Sequence, residues 1–107
     1  MTEFIQVITS VDSEGKAGEI ARRLLEERLA ACVQVLGPVR SGYWWKEKIE
    51  EAEEWLCLIK AKAADYERIE SSIKEVHPYE VPEILALPIT AGNPRYLEWL
   101  WRETNSQ

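Results

Sequence analysis

Residues 41–63 read SGYWWKEKIEEAEEWLCLIKAKA: two runs rich in aromatic and apolar residues, on either side of a polar turn at Lys46, Glu47 and Lys48. With ACVQVLGPV just upstream (31–39) switching to period two, the segment predicts a long hairpin of two antiparallel strands. Gly37, Pro38 and Gly42 fall in its first arm. Proline removes a ladder donor and glycine weakens pairing, so that arm is expected to be broken or bulged there. With the turn centred on Glu47, antiparallel counting sets Cys32 opposite Lys62 and Cys57 opposite Gly37, any bulge shifting this by a residue. The two cysteines are therefore not natural disulfide partners.

The flanking segments complete the pattern. EFIQVITSV (3–11) is apolar on both faces, Phe4 and Ile8 on one side and Ile5 and Val7 on the other, which predicts an interior strand. DSEG supplies a cap in Asp12 or Ser13 for a helix over about 13–30, traced by Ala17, Ile20, Ala21, Leu24, Leu25 and Leu29. A second helix starts near Asp65, aligns Tyr66, Ile69, Ile73 and Val76, and stops at His77 because Pro78 disfavours helical geometry before it. EILALPIT (83–90) is a fourth strand, with Pro88 tolerated only near an edge, an end or a bulge. GNP opens a last helix with Asn93 as cap, Pro94 at its first position, and Leu97, Leu100 and Trp101 facing inward.

The order β-α-β-β-α-β plus a terminal helix is the ferredoxin-like split: an α+β single domain, an antiparallel four-stranded sheet with both main helices on one face. The other face keeps apolar residues without a cover, so self-association is the economical expectation. Five tryptophans in 107 residues point the same way, and Tyr43, Trp44, Trp45 and Trp55 at the hairpin are the expected anchors. EEAEE (50–54) reads as a solvated flank that discourages edge-to-edge aggregation.

A net charge of -6 with no basic stripe argues against nucleic acid as a partner. MTEFIQVITS shows no signal-peptide pattern and no apolar run approaches a membrane span, so a cytoplasmic protein without a membrane partner is expected. No G-x-S-x-G, P-loop, G-x-G-x-x-G or spaced Ser/His/Asp set appears, so no enzyme is expected.

ERLAACVQV, YWWKEKIEEAEEWLCLIKA, HPYEVPEILALPI and GNPRYLEWL, in this order and at these separations, closely resemble the CutA divalent-cation tolerance proteins. The resemblance covers nearly the whole chain. It implies a homotrimer of ferredoxin-like subunits, similar in architecture to the PII signalling proteins, and an association with tolerance to copper and other divalent metals. Three departures stand out: Glu47 where the family often has glycine, Gln34 where asparagine is common, and Ala61 where threonine is common.

Thiolate, imidazole and carboxylate donors suit copper or another divalent ion, and the chain offers Cys32, Cys57, His77, Glu80 and Glu83. None of these has a diagnostic spacing, but trimerisation can bring one chain's cysteine to another's carboxylate. No metal is expected to be required for folding. Cys32, between Ala31 and Val33, reads first as a buried small hydrophobe and second as a ligand, and Cys57 in WLCLI reads more clearly as packed. His77 reads either as a ligand or as a cap on the last carbonyls of its own helix. The proline-bounded PYEVPE after it sets Tyr79, Glu80 and Glu83 on a short rigid loop. Lys60 in an apolar strand must pair, with Glu83 or another carboxylate, or face a small anionic metabolite in a cleft between subunits. Trp45, Tyr79 and Trp99 are then the walls of that cleft.

Overall fold

The alternation in FIQVITSV becomes β1 (Phe4–Val11), whose Ile5, Val7, Thr9 and Val11 are buried on one face of the sheet. The structure, a computed structural model, describes residues 3–104. After β1 come α1 (Glu14–Glu26), β2 (Cys32–Trp45), β3 (Lys48–Lys62), a single 3-10 turn (Ala63–Asp65), α2 (Tyr66–Val76), β4 (Ile84–Pro88) and α3 (Pro94–Glu103). The strand order is β2-β3-β1-β4 with every pairing antiparallel, the ferredoxin-like arrangement expected. β1 is interior, and Pro88 ends an edge strand, where its missing N–H costs no ladder bond.

Local chemistry sets the element ends. Ser13 Oγ accepts from Lys16 N at 3.1 Å to cap α1, and Asn93 Oδ1 accepts from Arg95 N at 2.9 Å to cap α3 behind Pro94. α1 stops at Glu26, short of the expected 30. Arg28 takes a left-handed φ of 60°, while Leu29 N donates to Leu24 O at 3.0 Å and Arg28 N to Leu25 O at 3.1 Å. That is a Schellman stop with arginine where glycine usually stands, and buried Leu24 and Leu29 provide its apolar contact.

The hairpin register differs from simple counting by two residues. Cys32 pairs with Lys60 and Cys57 with Val35. One residue comes from the turn, which joins Trp45 to Lys48 through Lys46 and Glu47 alone. The other comes from a bulge in which Gly37 and Pro38 oppose Trp55 between the pairs Leu36–Leu56 and Val39–Glu54. Gly42, by contrast, stays in regular pairing with Glu51. Trp55 is not a tip residue: it pairs with Val11 and packs against the core.

The core lies between α1, α2 and one sheet face: Ile20 and Leu24, Ile69 and Ile73, and Cys57 and Ile59 are all fully buried. The opposite face is not wholly bare, as the sequence suggested. Phe4 and Lys62 pair on that face, and Trp101 of α3 meets Phe4 edge-on at 6.0 Å with Lys62 Nζ 4.0 Å from its ring centre. α3 thus covers one end with Leu100 fully buried, while Trp101, expected inward, stays half exposed. The rest of the face carries Ile8, Leu56, Leu58, Leu36, Leu85 and Leu87, of which the last-named three leucines are exposed.

Candidate functional site

β2 and β3 run past the end of β1, whose last pairing is Val11 with Trp55, so residues 39–54 form a two-stranded arm projecting beyond the sheet. The loop from α2 to β4 returns beside the root of this arm. His77 fixes the loop: Tyr79 N–H donates to His77 Nδ1 at 3.2 Å, so Nε2 carries the proton and donates to Ser10 O at 2.9 Å. The imidazole therefore clips the loop to β1. It does not cap its own helix, and both ring nitrogens are occupied by backbone.

With the loop held there, a cavity of about 650 Å³ opens between it and the arm. Tyr43, Trp44 and Trp45 supply its aromatic side, while Glu54 of β3 and Glu80 and Glu83 of the loop supply its charge. Glu54 is only 6% exposed, and its Oε2 accepts from Tyr79 Oη at 2.5 Å. Burial, and then the bond to Glu54, push the Tyr79 phenol well above its ordinary range, so it stays a donor at neutral pH. Glu83 Oε1 accepts from Ser10 Oγ at 3.5 Å. Among the described residues no lysine, arginine or histidine forms an ion pair with any of these three carboxylates.

The residues singled out in the sequence fall into two groups. Trp45, Tyr79, Glu80 and Glu83 line this cavity, with the His77 ring 4.8 Å from that of Tyr79. Cys32, Lys60 and Trp99 lie at the other end. Cys32 pairs with Lys60, its thiol meets the Tyr96 hydroxyl, and the Tyr96 ring is 5.4 Å from Trp99. Burial first, and then Cys32, raise the Tyr96 phenol. Lys60 bonds neither Glu83 nor another carboxylate; its Nζ donates to Gln34 Oε1 at 2.8 Å. Cys32 and Trp45 are the first and last residues of the 14-residue β2, roughly 40 Å apart at strand rise. Cys57 is fully buried, its thiol donating to Ala17 O at 3.6 Å and pushed up to about 11 by burial. Among the described residues, no group of three or more His, Cys, Asp or Glu side chains is placed to hold a metal ion. Sequence reasoning missed Glu54, because EEAEE looks solvated throughout; the period-two count that places it beside Leu56 and Leu58 was the available signal.

Residues 5–103 match the family of the CutA1 divalent ion tolerance protein. This chain belongs to that family. It is 44% identical over 98 residues to the divalent-cation tolerance protein CutA of Thermus thermophilus, covering 92% of this chain and 95% of that one. With protein CutA of Mus musculus it shares 46% identity over 94 residues, 88% of this chain but 53% of that protein, so it spans about half of that relative's length. Among solved structures, CutA from Xylella fastidiosa superposes with a TM-score of 0.94 at 34% identity, covering 97% of this chain and all of that one (100%). A CutA structure from Archaeoglobus fulgidus, described as periplasmic, gives 0.93 at 33% identity over 95% of this chain and 99% of its own. The family is that of the divalent cation tolerance proteins, and its solved structures share the ferredoxin-like fold described above. Among the described residues no helix is long and apolar enough to cross a membrane.

Proposed function

We propose that the protein binds divalent metal ions, copper foremost, as a cytoplasmic homotrimer, and that this non-enzymatic binding is its contribution to metal tolerance. The observation that carries the reading is the loop carrying Pro78 and Pro82, whose Glu80 and Glu83 line one cavity and, among the described residues, form no ion pair with a cationic side chain. Carboxylates bind divalent ions generally, and a thiolate or imidazole in the set shifts preference toward copper and zinc. Cys32, at the far end of its own chain, joins such a set only from a neighbouring copy. His77 joins it only if the metal displaces the Tyr79 amide from Nδ1.

Native mass spectrometry of protein purified without chelator tests assembly and metal content together. The expected result is a trimer carrying metal, with saturable copper or zinc binding that weakens at least tenfold in Glu80→Gln/Glu83→Gln. Binding no stronger than surface adsorption, or unchanged in that variant and in Cys32→Ser/His77→Ala, overturns the site.

A second reading, a sensor holding a small anionic metabolite between subunits, is favoured by Lys60. Its partner, Gln34, is neutral, which among the described residues leaves the ammonium without a counter-charge beside Cys32. Lys60→Ala then abolishes the thermal stabilisation such a ligand gives; a metabolite panel that shifts no melting temperature removes this reading.

A further inference from the structure

We propose that the cavity between the hairpin arm and the 77–83 loop is a binding site for a small organic cation, an ammonium ion carried on an apolar body. The charge of the site excludes the opposite choice: Glu54, Glu80 and Glu83 face the cavity, and Asp12 lies close enough to act on Tyr79. An anion entering there meets three carboxylates.

Three observations carry the proposal beyond an acidic surface. The first is Glu54. Its carboxylate is withdrawn from solvent, 6% exposed, yet among the described residues its bonding consists of one phenol, with no cation paired to it. A buried carboxylate without a counter-charge is expensive, and the Tyr79 hydroxyl supplies a dipole where a full positive charge fits. The second is the wall. Tyr43 and Trp45 stand two apart on β2, on the same face of the arm as Glu54, with Tyr79 across from them, and aromatic faces beside carboxylates are the environment in which ammonium groups are held. The chain already brings an ammonium of its own near that wall, with Lys46 Nζ 5.8 Å from the Trp45 ring centre. The third is size: about 650 Å³ lies within the range of small-molecule sites.

Spermidine and phenyltrimethylammonium are the probes, titrated separately by calorimetry and by tryptophan fluorescence at fixed ionic strength with EDTA present. The chelator separates this site from the metal reading, whose own titration uses no amine. Saturable binding of at least one probe is expected at one per chain, weakened at least tenfold in Glu54→Gln, which keeps the acceptor for Tyr79 and removes the charge. A preference for phenyltrimethylammonium assigns the site to quaternary ammonium ions, and a preference for spermidine to primary amines. Trp45→Leu, which leaves every carboxylate in place, is expected to weaken binding several-fold and serves if Glu54→Gln fails to fold. The neutral tert-butylbenzene analogue, carbon in place of the cationic nitrogen, is expected not to bind. The proposal is overturned by no saturable binding of either probe, by unchanged affinity in both variants, or by equal binding of the neutral analogue.

Discussion

Thr9 points into the core between Val7 and Val11, fully buried, and among the described residues its Oγ1 has no hydrogen-bond partner. A hydroxyl in that position keeps the cost of leaving water without the return of a bond. Thr9→Val, equal in shape, is expected to stabilise the protein by about 1 kcal/mol, read as a higher denaturant midpoint at unchanged slope. The two thiols make a sharper contrast. Cys57 is buried and held protonated by burial, whereas Cys32 is partly exposed on the opposite face. Under native conditions at pH 8, iodoacetamide should modify Cys32 and leave Cys57 untouched until the protein is unfolded; equal labelling in the native state would contradict the packing. The sign of the pH dependence follows from the same burial. The Cys57 thiol ionises near 9.0 when unfolded and near 11 when folded, so its contribution to stability is complete below 9.0 and falls away as pH rises to 11.

The hairpin is the element in which backbone conformation departs furthest from residue preference. Lys46 and Glu47 make its two-residue turn with φ of 51° and 68°, both left-handed, as a type I′ connection requires. Neither side chain favours that region, where a non-glycine residue costs roughly 1–2 kcal/mol and glycine gives back part of the gain through its own flexibility. Glu47→Gly is therefore expected to stabilise by about 0.5–1 kcal/mol, visible as a raised Tm with the sheet spectrum unchanged. At the bulge the constraint is steric instead: a Cβ on Gly37 would stand 2.3 Å from Trp55 Cδ1. Gly37 and Pro38 were legible as a bulge because each carries a backbone signature that pairing cannot absorb. The register was not legible, since side chains alternate identically whether the turn spans two residues or three. The early stop of α1 was hidden for the same kind of reason: Arg28 gives no local sign of a left-handed conformation that Leu24 and Leu29 stabilise by packing. The 77–83 loop was half legible. Its prolines announced a rigid turn carrying Tyr79, Glu80 and Glu83, but that His77 would spend both nitrogens on backbone depends on Ser10, 67 residues away.

Over the whole molecule, two surfaces remain unaccounted for by a single chain. One is the sheet face beyond α3, where Leu36, Leu85 and Leu87 stand exposed in line with Ile8 and Leu58. The other is the projecting arm, with Trp44 71% and its cross-strand partner Ile49 67% exposed. Placing both in water leaves leucine, isoleucine and tryptophan side chains unburied at about 1.5–3 kcal/mol each for a fully buried residue of this size. β2 is also an edge strand 14 residues long, a row of unpaired backbone groups beside the apolar face. A closed ring of copies, each laying its arm on the next, covers all three at once and leaves no edge for open-ended growth. Leu85→Glu/Leu87→Glu sets two charges on that face without touching the core, the hairpin or the cavity between arm and loop. The pair should shift the native mass from the proposed trimer to monomer at micromolar concentration and make unfolding independent of protein concentration, which that of the parent chain should not be. A parent chain that is monomeric at that concentration, or a charged pair that still assembles, would show that these leucines face water in the working protein.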